Sequence, residues 1–363
     1  MKITILEKPR VVMHNPMSLH NYFAWPTVAR LKDGRLALAA SGFRLRHVCP
    51  FGKAVLSFSA DEGKTWSQPN VVIDTVLDDR DAGLCPFGKS GLIVTSFNNE
   101  RAFQRARLQR DGKSDPYTDA YLDKISDEEE KAVLGATFRV SLDNGTTFSP
   151  LYRSPVSSPH GPLECADGTL LWVGRAFAPS GEYSPLRAAV IRTDGTSEVL
   201  GEIPKTDDEN DFPCEPYAVQ RSDGSILCHF RLQQRLSPKD PVSKLCIYQT
   251  VSYDQGKSWS KPVQINSDLS GAPPHIVRLS DSTLLCTYSH RRKPFGVWFM
   301  LSRDEGETWQ TDLRLLENGE GWDLGYPSTV ELRDHSLLTT YYAHESADSP
   351  AVIWQVRWKI DEI

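Results

Sequence analysis

The sequence predicts an all-β fold, a six-bladed β-propeller, and three observations carry that expectation. A short turn pattern built on Asp and Gly recurs four times. A hairpin of two apolar segments recurs six times. The two alternate along the chain at a spacing of roughly 50–60 residues, as expected for four-stranded blades around an axis.

The turn pattern is Ser-x-Asp-x-Gly-x-Thr-Trp. It first reads Ser59-Ala60-Asp61-Glu62-Gly63-Lys64-Thr65-Trp66 and returns with small variations at Ser141–Phe148, Ser252–Trp259 and Ser302–Trp309. The Asp accepts hydrogen bonds from nearby backbone N–H groups, the Gly takes a positive φ, and the aromatic residue is placed to bury between sheets. These residues read as structural. A degenerate copy, Thr193-Asp194-Gly195-Thr196, fills the gap between the second and third intact ones.

The hairpins begin with Val28–Leu38 around Lys32-Asp33-Gly34. Later copies centre on Gly88–Gly91, Asp167-Gly168, Asp223-Gly224, Asp281-Ser282 and Asp334-His335. Asp-Gly between alternating apolar runs is a strong short-range hairpin signal. The equivalent positions Leu36, Leu92, Leu170, Ile226, Leu284 and Leu337 lie 56, 78, 56, 58 and 53 residues apart. The N-terminal Lys2–Ile5 and the C-terminal Ala351–Val356 are available to close the ring, so residues 1–363 read as one propeller domain. The wide second interval holds a polar, charged insertion at about 100–136, within which Ala120–Lys131 reads as a helix.

A formal net charge of −6 leaves no footprint for nucleic acid or an anionic membrane. No apolar run reaches the length of a membrane span, and the first residues lack a signal-peptide core. Seven scattered cysteines form no CxxC pair. A reduced, cytoplasmic setting without disulfides, metal or cofactor is therefore the expectation.

In a propeller the first strand of each blade lines the central channel, so the residues just before those strands face one shared pocket. They are Trp25, Asp81, His160, Glu215, His275 and Tyr326, a convergent polar cluster. The ends of the second strands add Arg44, Arg46, His47, Asn98, Arg175, Arg231, Arg291 and Arg292. Several arginines aimed at one cavity suit a carboxylate, which a guanidinium grips through two parallel hydrogen bonds.

These turns and this cluster resemble the sialidase (neuraminidase) superfamily, and the likeness covers nearly the whole chain. The resemblance implies that Tyr326, in Leu324-Gly325-Tyr326-Pro327, is the nucleophile, partnered by Glu215 of Cys214-Glu215-Pro216. Arg231, with Arg291 or Arg292, would bind the substrate carboxylate, and Asp81 matches the family's Asp at the second blade. Two departures stand out. The family's Phe-Arg-Ile-Pro motif reads Phe23-Ala24-Trp25-Pro26 here, without its arginine. No acidic residue lies between Phe43 and Lys53, where the family's acid/base Asp is expected.

The reading that follows is hydrolysis of a small glycoside or oligosaccharide that ends in an acidic sugar, sialic-acid-like, ulosonic or uronic. Glu215 takes the phenolic proton, Tyr326 attacks the anomeric carbon, and His47, His160 or Asp81 is the general acid. Two alternatives stay open. One is β-elimination from a uronate, with Tyr326 and His160 or His275 as base and acid. The other is sugar binding without catalysis.

Overall fold

The structure, a computed structural model, describes residues 2–178, 184–208, 211–234, 244–266 and 271–361. Six antiparallel sheets follow one another around a channel. Blade 1 is Tyr22–Arg30, Leu36–Arg44, Lys53–Ser59 and Asn70–Ile73, and blade 2 is Leu84–Phe87, Gly91–Phe97, Ala136–Ser141 and Tyr152–Ser154. In blade 3, Leu170–Ala176 pairs with two short inner segments, Val156–Ser157 and Leu163–Glu164, and is followed by Leu186–Ile191 and Ser197–Glu202. Blade 4 runs Asp211–Gln220, Ile226–Gln234, Lys244–Ser252 and Val263–Gln264, and blade 5 runs Gly271–Arg278, Leu284–His290, Gly296–Ser302 and Gln310–Leu316. Blade 6 takes Gly325–Glu331, Leu337–His344 and Ala351–Ile360 from one end of the sequence and Ile3–Met13 from the other. The ring closes there, with Ile3 opposite Ile360 and Met13 opposite Ile353.

The second strands explain why the blades stay together. Side chains of consecutive strand residues point to opposite faces, so each pair of neighbours at the start of these strands serves two clefts. Leu36 packs towards blade 6 with Leu338 and Ile353, while Ala37 packs towards blade 2 with Leu84 and Leu92. Ile93 and Leu170 meet in the next cleft, then Leu171 and Ile226, then Leu227 and Leu284. Leu285 and Leu337 complete the circuit. Six apolar clusters, one per cleft, thus replace a single central core.

The four turns lie between third and fourth strands and bind as their composition requires. In the first, Ser59 Oγ and Thr65 Oγ1 donate to the Asp61 carboxylate at 2.8 and 2.7 Å, and Gly63 N–H donates to Ser59 Oγ at 2.9 Å. These bonds hold the Asp61 carboxyl down at about 2, with Thr65 the largest contributor. Two turns are also tied to the preceding blade by a glutamine. Gln355 Oε1 accepts from Trp66 Nε1 at 2.8 Å while its amide donates to the Gly63 carbonyl. Gln249 does the same for Trp309 Nε1 and Gly306.

The insertion between the second and third strands of blade 2 is three helices rather than the one expected over Ala120–Lys131: α1 Arg101–Arg110, α2 Pro116–Lys124 and α3 Asp127–Val133. The chain breaks at Ser126, which caps α3 through a reciprocal pair of bonds with Glu129. None of these helices is long and apolar enough to cross a membrane.

Candidate active site

The channel-facing side chains are presented by an irregularity repeated from blade to blade. Register shifts interrupt the first strands between Ala24 and Thr27, Cys214 and Tyr217, Gly271 and Pro274, and Gly325 and Ser328. Within these bulges Trp25, Glu215 and Tyr326 have φ of 55°, 53° and 47°, and Asp81 in blade 2 has 51°. A side chain at positive φ is strained by about 1–3 kcal/mol, and such bulges re-aim side chains next to active sites. Trp25, Glu215 and Tyr326 therefore sit inside the first strands, at a bulge, while Asp81 lies ahead of Leu84–Phe87. In three of the four the bulge residue precedes a proline: Trp25-Pro26, Glu215-Pro216 and Tyr326-Pro327.

That register corrects two positions. In blade 3 the equivalent residue is Gly161, before Pro162 with φ 82°, so His160 lies one residue too early. His275 lies beyond the blade 5 bulge. Both rings are buried deeper in the channel, edge to face at 4.7 Å. Thr27 Oγ1 holds His160 Nδ1 at 3.1 Å, and Ser328 Oγ and the Thr329 N–H hold the His275 nitrogens. Burial keeps both rings neutral and pushes His275 down to about 3. Both pack against Tyr217, at 5.5 and 4.8 Å, and His160 Nε2 has no hydrogen-bond partner.

At the mouth, Tyr326 donates a hydrogen bond to Glu215 Oε1. Arg231 Nη1 lies 2.9 Å from Glu215 Oε2, and its Nε donates to Cys214 Sγ at 3.0 Å. Burial raises the phenol's pKa well above its usual value, with help from Glu215 and Asp81 and against Arg231 and Arg291. Asp81 is buried with no hydrogen-bond partner on Oδ1. Burial lifts its carboxyl to about 7, with Glu215 adding and Arg80 opposing. Arg291 stands 5.4 Å over the Tyr326 ring and donates to Leu324 O at 3.1 Å and Tyr342 OH at 3.4 Å. It is Arg291, and not its neighbour Arg292, that joins the cluster.

The remaining arginines are used elsewhere. Arg44 has no exposed side-chain surface and forms a buried ion pair with Asp78 at 2.6 Å, behind the Trp25 ring. It braces that ring and cannot reach a ligand. Arg46 turns outward to Asp115, the cap of α2, at 2.6 Å. Arg175 lies over Phe212 and donates to Ser184, beside the site. Asn98 ties the start of the insertion to Gly135 and Val133. His47 is in the site wall, but both ring nitrogens are engaged, by Asp323 at 2.9 Å and Arg80 at 3.3 Å.

Two further residues of the site, Arg80 and Asp323, stand outside both sequence repeats. Arg80 is partly buried in the cluster, its guanidinium 4.1 Å from the centre of the Trp25 ring, and Asp78 and Asp81 hold it charged against burial. It pairs with Phe97 as Ala24 pairs with Ser41, so it occupies in blade 2 the place of Ala24 in blade 1. The arginine missing from Phe23-Ala24-Trp25-Pro26 is thus matched by one on the next blade. Asp78 pairs with both Arg44 and Arg80, at 2.6 and 3.4 Å, and the guanidiniums of Arg80, Arg231 and Arg291 gather around the Glu215 and Asp81 carboxyls. A separate cavity of about 750 Å³ lies between the insertion and Phe177, but its Arg101 is already paired with Asp127 and Glu130.

The six-bladed propeller is the fold of solved sialidase structures. More particularly, the chain belongs to the BNR repeat-like domain family, whose profile matches residues 122–339. Similar solved structures include a protein of unknown function from Dyadobacter fermentans (20% identity, 99% of each chain, TM-score 0.75). The NanB sialidase of Streptococcus pneumoniae is 14% identical over 97% of this chain and 70% of its own, with a TM-score of 0.67. The intramolecular trans-sialidase of Ruminococcus gnavus is 15% identical over 95% and 96%, with a TM-score of 0.62. Comparison with curated proteins returned no match.

Proposed function

We propose that this protein is a retaining exo-glycosidase that releases a terminal acidic sugar. The observation that carries the reading is the hydrogen bond from Tyr326 to Glu215, with Arg231 on the other Glu215 oxygen. In the first step Glu215 takes the phenolic proton as the Tyr326 oxygen bonds to the anomeric carbon. The glycosidic C–O bond breaks, and Asp81 in its protonated form gives its proton to the leaving oxygen. Water then attacks the same carbon, Asp81 removes its proton, and the Tyr326 oxygen leaves and recovers the proton from Glu215.

A neutral nucleophile suits a sugar whose own carboxylate would repel a carboxylate nucleophile, and the guanidiniums of Arg80, Arg231 and Arg291 supply the grip on that carboxylate. Asp81 is favoured as general acid because it is titratable near neutrality and lacks a partner on Oδ1. The eliminative alternative drew on His160 and His275; burial keeps both rings neutral, and Ser328 and Thr329 hold both nitrogens of His275, which supports a packing role instead.

The test is a panel of aryl glycosides of sialic, ulosonic and uronic acids and of neutral sugars. Phenol release from an acidic member, without a product absorbing near the roughly 230 nm of an unsaturated uronate, supports the hydrolase. An unsaturated product would replace it with a lyase, and binding without product would leave a sugar-binding propeller.

A further inference from the structure

Asp323 lies in the segment between blades 5 and 6, outside both repeats, and its carboxylate is full. Tyr342 Oη and His47 Nδ1 donate to Oδ1, each at 2.9 Å. Tyr22 Oη and His344 Nε2 donate to Oδ2, at 2.8 and 3.2 Å. A carboxylate offers about four lone-pair sites, and all are taken. Burial opposes its charge, yet His47, His344 and Tyr22 hold the carboxyl well below the usual range.

Two of these donors lead on to arginines. Because His47 gives its Nδ1 proton to Asp323, its Nε2 lone pair is free to accept from Arg80 Nη2, at 3.3 Å. Because Tyr342 gives its hydroxyl proton to Asp323, the same oxygen can accept from Arg291 Nη2, at 3.4 Å. One anion thereby fixes the tautomer of a histidine and the rotor of a tyrosine, and each presents a lone pair to a different guanidinium. His344 differs, since its other nitrogen bonds the Ser349 carbonyl and leads to neither arginine.

We propose that Asp323 is a positioning residue that aims Arg80 and Arg291 at the substrate's anionic group. The role rests on the acidic-sugar reading for its ligand, but the placement of the two guanidiniums can be tested without one. Asp323→Asn keeps the shape and puts an NH2 where two donors require an acceptor. The crystal structure of the ligand-free full-length variant is expected to show Arg80 and Arg291 displaced from their present partners.

Calorimetric titration then uses N-acetylneuraminate and its methyl ester as probes. Affinity for the acid is expected to fall by about 10–50-fold, the range of a lost charge-assisted contact, while affinity for the ester is unchanged. His344→Leu removes a bond to the same carboxylate and is expected to leave acid binding within about 2-fold, because it breaks neither relay. Unmoved guanidiniums with undiminished acid binding would overturn the proposal, as would an equal loss for acid and ester. If the wild-type protein binds neither probe, sialic acid is ruled out as its sugar and the variant's crystal structure still decides the positioning role. Should Asp323→Asn not fold, Tyr342→Phe deletes only the hydroxyl between Asp323 and Arg291, and Arg291 should shift alone.

Discussion

Tyr326 and Glu215 are 111 residues apart, on the sixth and fourth blades, and meet across the channel through one hydrogen bond from phenol to carboxylate. Neither side chain could be placed there by a regular strand, because both stand on bulges at positive φ. If the pair acts as a unit, its loss is not additive. Tyr326→Phe and Glu215→Gln should each lower kcat on an acidic aryl glycoside by about 10³-fold or more, and the double variant should be little worse than either. Steady-state kinetics of the three variants checks this.

Asp81 makes activity and stability pull in opposite directions. Its carboxyl is raised to about 7 by burial, so the acid form needed for leaving-group protonation is lost above neutrality. The rate should fall with a midpoint near that value, less so for aryl groups that leave without protonation. In stability terms a raised carboxyl binds its proton more tightly in the folded state, so folding weakens as pH rises from the unfolded value, about 4, to about 7. Asp81→Asn should abolish cleavage of alkyl glycosides, and should raise Tm at pH 8 relative to wild type but not at pH 4. Differential scanning calorimetry at the two pH values would show it.

Arg80 is one of the three guanidiniums offered to the substrate carboxylate. Arg80→Met should raise KM for acidic substrates by about 10²-fold, in line with loss of a charge-assisted pair, with little effect on binding of neutral aryl sugars. Equal losses for both classes would assign Arg80 to holding Trp25 alone.

Gln355 ties the first turn to the sixth blade. Gln355→Leu leaves the Trp66 indole N–H without its acceptor, while the Gly63 carbonyl keeps Arg10. The expected cost is about 1–3 kcal/mol, read as a lower urea midpoint with an unchanged slope. Gln249→Leu should behave alike through Trp309.

Acid should unfold the ring through its turns. The carboxyls of Asp61, Asp143, Asp254 and Asp304 are all depressed to about 2 by hydrogen bonds inside their turns. A depressed carboxyl contributes its stability above the unfolded pKa and loses it as pH falls through the folded one. The contribution of the turns is therefore complete above about pH 4 and disappears towards pH 2. Circular dichroism along an acid titration should show a loss in that window that weakens in an Asp304→Asn variant.

The propeller was legible because its signals are short-range. Asp, Gly and Trp within eight residues specify a turn wherever the blade stands, and alternation in Leu36-Ala37 or Leu284-Leu285 names two clefts at once. Tyr326, Glu215, Asp81 and Trp25 were legible for the same reason, as odd residues at a repeated place. His160 and His275 were misplaced by one and by several positions because a bulge shifts the count. The proline after Trp25, Glu215 and Tyr326 marks the true register, and Gly161-Pro162 obeys it. Arg80 was hidden by its neighbour Asp81, which drew the assignment to that blade. Asp323 carried no signal at all, since it belongs to no repeat and its partners come from Tyr22, His47, Tyr342 and His344, brought together only by ring closure.

That closure has a consequence for how the protein is made. Ile3–Met13 is synthesised before the rest of the propeller, yet its partner Ala351–Ile360 is the last of the blade strands to be made. Until then the first cleft lacks Leu338 and Ile353, and an unpaired edge waits through the synthesis of five blades. At a ribosomal pace of about 5–20 residues per second, that interval lasts from roughly a quarter of a minute to over a minute. A nascent chain of this kind is open to capture by chaperones, or by the matching edge of another copy, throughout that time.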